Sequence, residues 1–93
     1  MFDIVVGEHE IILSGRLDAA EAEKARGIFL SLEDAKVVDF GRLEYISSAG
    51  LGVLLAAQKK LVDRGKGLRL INVRGHIRDV FRLSGFDQIF DIA

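Results

Sequence analysis

Two adjacent serines, Ser47 and Ser48, stand in the stretch YISSAGLGVLLAAQKKL at residues 45–61, with Gly50 and Gly52 close behind them. A serine hydroxyl can accept a phosphoryl group, attack an electrophile once a base takes its proton, or cap a helix. The residues before the pair read as a strand leaving a core and those after it as an amphipathic helix. The serines therefore fall where a strand C-terminus meets a helix N-terminus, the place where open α/β sheets gather functional groups. The first N–H groups of a helix lack internal acceptors, and a capping serine oxygen satisfies one at a gain of about 1 kcal/mol. Capping does not account for the glycines, each of which weakens a helix by about 1 kcal/mol relative to alanine. Two readings stay open on residue type alone: close packing of the helix on the sheet, or close approach of another molecule's backbone or phosphate. Neither GxGxxG nor GxxxxGK[ST] occurs, so the glycines are a weak sign of a nucleotide site.

Other side chains with chemical potential are scattered. Asp18 precedes an apolar-periodic run and has Glu21 three residues on, the pattern of a capping box. Asp39 interrupts the apolar run Val37, Val38, Phe40 and is expected at that strand's C-terminal edge, where it would either bond the loop amides of Gly41 to Glu44 or act near the acceptor serine. Arg74, Arg78 and Arg82 recur every four residues as a basic stripe, which reads as a solvated face or a contact for acidic residues of a protein partner. His9 and His76 form no ligand pair and the chain has no cysteine, so a metal site is not expected. No serine has a histidine placed as its base and no nucleophile signature occurs, so no catalytic residue is assigned.

The elements that must position these groups follow from periodicity. Phe2 to Val6 and Ile11 to Leu13 read as a hairpin around Gly7. Ala22, Ala25, Ile28, Phe29 and Leu32 mark one face of a first helix after Asp18. The short strand Val37 to Phe40 precedes a second helix from about Ala49, expected to bury Leu51, Leu54, Leu55, Leu61 and Val62 and to end at Gly65. Leu68 to Val73 reads as a strand, Ile77, Val80, Phe81 and Ser84 as the face of a third helix stopped by Gly85, and Gln88 to Ile92 as a last strand. Strands alternating with helices after a hairpin imply an α/β fold: a mainly parallel sheet of about five strands with three helices, in one domain spanning 1–93.

Composition limits the class of function. The 93 residues carry 49% hydrophobic and 29% charged side chains, a globular mixture. A formal net charge of -1 gives no global attraction to nucleic acid or anionic lipid, so neither is expected as a partner. Zero cysteines suit a reducing cytoplasm. The start MFDIVVGEHE lacks a basic n-region with a long apolar run, and Val53 to Ala57 falls far short of the ~20 residues that span a bilayer, so neither export nor membrane insertion is expected.

Over nearly its whole length the chain resembles the STAS domains of bacterial anti-sigma factor antagonists. The resemblance is carried by LSGRLDAAEA, VVDFGRLEYISSAGLGVLL and LRLINVRGHIRDVFRLSGF, in that order. It implies that Ser48, two residues before the GLG-type glycine, is phosphorylated by a partner anti-sigma factor that is itself a serine kinase. It also implies that Asp18, Asp39, Ser47, Ala49, Gly50, Leu51 and Gly52 surround that site on the partner-binding face, that no cofactor is needed, and that a separate serine phosphatase reverses the switch. Two departures stand out: Ser47 replaces the family's usual aspartate and Ala49 its usual serine or threonine. They keep open an alternative, a scaffold or transporter-associated STAS module that is never phosphorylated. A nucleotide-binding module is the third reading.

Overall fold

The computed structural model describes residues 1–34 and 36–93. Along the chain run β1 (Phe2–Val6), β2 (Glu10–Leu17), α1 (Ala19–Leu30), β3 (Lys36–Ile46), α2 (Ser48–Val62), β4 (Leu68–Ile71), α3 (Gly75–Leu83), a 3-10 turn (Phe86–Gln88) and β5 (Asp91–Ile92). One sheet has the order β1-β2-β3-β4-β5, with β1 antiparallel to β2 and every later pair parallel. A parallel sheet that grows strand by strand in one direction through right-handed crossovers puts its helices on one face. The buried side chains accordingly form one cluster, running from Ile11, Leu13 and Leu17 of β2 through Phe29 of α1 and Leu54 of α2 to Phe81 of α3. The alternate residues Val5, Ile12, Ser14, Val37 and Asp39 occupy the other face and are only partly covered or exposed.

The strands around the serines are longer than the sequence suggests. β2 extends to Leu17 and β3 runs on from Phe40 to Ile46. The pairing of β2 with β3 slips between Ile12 and Ser14 and again between Gly15 and Arg16, so the buried positions of β3 fall at Val38, Phe40, Leu43 and Ile46 instead of strictly alternating. Irregularities of this kind add residues to one strand and hide the two-residue period. β4, in contrast, stops at Ile71, because Asn72 takes a left-handed conformation at φ 58 and turns the chain away. The last strand also shrinks to Asp91–Ile92, with Gln88 in the 3-10 turn.

The helices sit close to their expected places. α1 buries Ala22, Ala25 and Phe29, with Leu32 just beyond its end. α2 buries Gly50, Leu51, Val53, Leu54, Ala57, Gln58 and Leu61, whereas Leu55 is half-buried and Val62 exposed. Gly65, at φ 73, closes α2: Lys66 N–H reaches Leu61 O at 2.8 Å and Gly65 N–H reaches Val62 O at 2.9 Å, the paired bonds of a left-handed cap. α3 buries Ile77 and Phe81, while Ser84 lies exposed after its end. Phe81 meets Phe40 and Phe90 edge-on at 5.8 and 5.7 Å, tying α3 and the approach to β5 onto β3.

One buried polar group organises the far end of the sheet. Gln58 is 5% exposed; its Oε1 accepts from Leu68 N–H at 2.7 Å and its Nε2 donates to Ile89 O at 2.9 Å. It joins α2 to the first residue of β4 and to the segment before β5. Gln58→Leu keeps the bulk but orphans both backbone groups, each worth about 1–3 kcal/mol when buried without a partner. Urea unfolding should show a loss of about 2–4 kcal/mol.

Candidate functional site

β2 and β3 end side by side, with Leu17 opposite Ile46 and Ser47 N–H donating to Leu17 O at 2.9 Å. The next residues, Asp18 and Ser47, are the caps of α1 and α2. Parallel strands lie about 4.8 Å apart, so the two helix N-termini open together at the same end of the sheet. Asp18 Oδ1 accepts from Glu21 N–H at 3.0 Å, which fulfils its expected capping role. Ser47 Oγ accepts from Gly50 N–H at 3.1 Å, and Ser47 O receives Leu51 N–H at 2.9 Å. The capping serine is thus Ser47, and the helix begins one residue earlier than its apolar pattern suggests.

This arrangement separates the two serines. Ser47 is half-buried with its oxygen engaged, while Ser48 is the first residue of α2 and exposed. A phosphoryl group on Ser48 would stand at a helix N-terminus, where unpaired N–H groups and the helix dipole favour negative charge. Ala49 and Gly52 are exposed beside it, whereas Gly50 and Leu51 are buried.

The glycines have different causes. A Cβ on Gly50 would lie 2.9 Å from Leu17 Cγ and 3.0 Å from Ile46 Cγ1, so a bare α-carbon lets α2 settle on the strand ends. A Cβ on Gly52 would meet nothing within 4 Å. Packing explains the first glycine; the second leaves the surface next to Ser48 flat for no intramolecular reason.

Of the residues expected at the site, the fold brings Asp18, Ser47, Ser48, Ala49 and Gly52 to one surface, with Gly50 and Leu51 beneath it. It does not bring Asp39 there, which corrects its expected position. β3 continues past Asp39 to Ile46 while the paired β2 advances five residues from Ile12 to Leu17, and at about 3.3 Å per residue that is roughly 17 Å. Of its two expected roles it takes the amide-bonding one: Asp39 Oδ1 accepts from Gly41 N–H at 2.8 Å, and also from Asn72 Nδ2 at 2.9 Å. The hydrogen bond from Asn72, then that from the Gly41 amide, holds its carboxyl below the usual carboxylate range. The arginine stripe is also drawn into local contacts. Arg74 lies just before α3 and donates to Gly41 O, Arg78 donates to Val73 O, and Arg82 pairs with Asp79 at 3.2 Å.

Sequence reasoning passed over a pair close to the site. The Arg16 guanidinium lies 4.4 Å from the centre of the Tyr45 ring, and the two residues are register partners one step before the strand ends. Only the register of β2 against β3 reveals that contact. A cavity of about 790 Å³, bordered by Gly65, Leu68 and Arg69, opens at the opposite end of the sheet from Ser48. Among the described residues no group of His, Cys, Asp and Glu could hold a metal ion, and no helix is long and apolar enough to cross a membrane.

With this geometry, comparison with known proteins identifies the class. The family described as "Mlab, STAS domain" matches residues 1–91, and the chain belongs to the STAS domain family. Among its relatives, BtrV of Bordetella bronchiseptica, which carries the name of an anti-sigma factor antagonist, is 41% identical over 83 residues, covering 89% of this chain and 71% of its own. The anti-sigma-B factor antagonist of Listeria monocytogenes is 29% identical over 90 residues, covering 89% of this chain and 76% of its own. The fold matches SpoIIAA of Bacillus in its phosphorylated form, with TM-score 0.70, 25% identity and coverage of 100% and 91% of the two chains. It also matches unphosphorylated SpoIIAA, at TM-score 0.70, 20% identity and coverage of 96% and 97%.

Two measurements test this local architecture. Gly50→Ala should destabilise the protein by about 1–2 kcal/mol, overpacking exceeding the gain in helix propensity, while Gly52→Ala should stabilise it by about 1 kcal/mol. Thermal or urea melts of the two variants should therefore move in opposite directions. Because the folded-state pKa of Asp39 is depressed, its contribution is present above the ordinary carboxylate value and lost as pH falls through the folded value. Unfolding free energies across acidic pH should fall less steeply for Asp39→Asn than for the parent chain.

Proposed function

We propose that this protein is an anti-sigma factor antagonist that works by partner switching. Unphosphorylated, it binds an anti-sigma factor serine kinase through the surface around Ser48, Ala49 and Gly52, with Asp18 and Ser47 at its rim, and a sigma factor is freed. The kinase phosphorylates Ser48, the complex dissociates, and a serine phosphatase in the same cytoplasm resets the switch. The observation that carries this reading is the exposure of Ser48 at the first position of α2, beside a Ser47 whose oxygen is already taken by Gly50 N–H. The names of BtrV and of the Listeria protein support the antagonist role. The two forms of SpoIIAA support control by phosphate, and the same chain fold fits both at TM-score 0.70.

Electrostatics explains how such a change would act. A phosphoserine carries about -1.5 to -2 charges at neutral pH. A helix N-terminus tolerates that charge while it is solvated, so the domain itself keeps its fold. In a closed interface the same group must lose water, and like charges brought together cost several kcal/mol. A few kcal/mol is about a hundredfold or more in affinity.

The direct experiment incubates the protein with ATP and candidate anti-sigma kinases of its own cell and locates the phosphate by mass spectrometry. Ser48→Ala should block modification. Ser47→Ala should leave Ser48 modified while lowering stability by about 1 kcal/mol through loss of the cap. Ser48→Asp should weaken kinase binding by about tenfold or more. Tight binding that Ser48→Asp leaves unchanged, with no phosphate at Ser48, would instead indicate a constitutive STAS scaffold.

A further inference from the structure

β1 is an edge strand whose outer side is unpaired among the described residues. Its hydrogen-bonding phase follows from two contacts with β2: Arg16 N–H donates to Met1 O at 2.9 Å and Gly7 N–H to Glu10 O at 2.7 Å. Alternate residues of an antiparallel strand bond to the same neighbour, so Asp3 and Val5 also turn their backbone groups toward β2. The N–H and C=O groups of Phe2, Ile4 and Val6 therefore face outward. The Ile4 amide confirms this, since it donates to the Asp3 carboxylate at 2.9 Å and not to β2.

Such an edge is ordinarily blunted by lysine, proline or a bulge, because it templates pairing with another chain. β1 reads FDIVV, with no proline or basic residue, and its pairing with β2 runs without a shift from Phe2 to Val6. Val5 and Val6 are 53% and 49% exposed. Asp3, folded back on the Ile4 amide, is the one charged group in the strand.

We propose that this edge is a self-association surface on which two copies pair β1 to β1 in antiparallel fashion about Ile4. That two-fold register places Ile4 opposite Ile4 and Phe2 opposite Val6 as hydrogen-bonded pairs, with Asp3 opposite Val5 between them. Like charges never stand directly across from each other. Val6 then packs beside the partly buried Phe2 of the other copy, continuing the helix-covered layer. A head-to-tail alternative is poorly matched, since the opposite edge of the sheet is the two-residue β5, whose Asp91 already pairs with Arg69. Because β1 is antiparallel to β2 and to its symmetry mate, the two Ser48 sites point to opposite ends of the ten-stranded sheet, and both stay open.

Sedimentation velocity from micromolar to millimolar protein tests the idea, with amide hydrogen exchange read at Ile4 and Val6. The expected result is a reversible monomer–dimer equilibrium in which both amides gain protection as concentration rises. Asp3→Ala, which releases the Ile4 N–H, should tighten association several-fold. Val6→Lys and Val5→Lys, both at exposed positions, should weaken it at least tenfold with unchanged circular dichroism, and Leu83→Lys on α3 should leave it unchanged. A chain that stays monomeric at millimolar concentration even as Asp3→Ala overturns the proposal. So does a dimer insensitive to both valine substitutions, or protection of the edge amides that appears only when another protein is added.

Discussion

α2 rests closely on the ends of β2 and β3 because residue 50 is a glycine. The space that a side chain would need there is filled by Leu17 and Ile46, the last residues of the two strands and direct register partners. That contact fixes the height and rotation at which the helix starts. Once the helix is so placed, Ser47 must be its cap and Ser48 its first residue, and successive helical positions carry Ser48 and Ala49 outward while Leu51 turns into the core. The exposure of one hydroxyl is therefore set by an apolar contact on the opposite side of the helix. Interiors packed at crystal-like density leave little slack for such a contact to drift.

The same placement gives the two serines different chemistry. A neutral hydroxyl, not a carboxylate, satisfies Gly50 N–H, so the cap adds no negative charge beside Ser48. Asp18, which follows the neighbouring strand β2, has its carboxylate turned to Glu21 N–H. A phosphate on Ser48 would meet less like-charge repulsion from its own domain here than beside two carboxylates. In the proposed switch, the penalty for phosphorylation thus falls on the complex and not on the fold.

Much of this was legible in the sequence because helix periodicity and capping residues are local signals. Asp18 with Glu21, the α1 face of Ala22, Ala25 and Phe29, and Gly65 after α2 could all be placed without knowing any tertiary contact. What could not be read depends on register. Irregular pairing hid the second half of β3, and with it the distance between Asp39 and the serines. Register also decides the Arg16–Tyr45 contact. The glycines were ambiguous for a similar reason: whether a missing side chain serves packing or approach is a question about what lies opposite, and Gly50 and Gly52 gave opposite answers.

Charge and screening together constrain how the proposed partner must bind. The formal net charge is -1, and a phosphoserine adds about -1.5 to -2, giving about -2.5 to -3 in total, still a modest field for a whole protein. At physiological ionic strength such a field is screened within about 8 Å. A change at Ser48 could not expel a partner bound at the far end of the sheet, near Gln58 and Leu68. For one phosphate to act as a release signal, the partner has to cover Ser48 itself and exclude water from it, where the same charge is screened least. The flat, exposed surface of Ala49 and Gly52 next to that hydroxyl is the shape such a covering contact needs, and it gives Gly52, which no packing explains, a reason to lack a side chain.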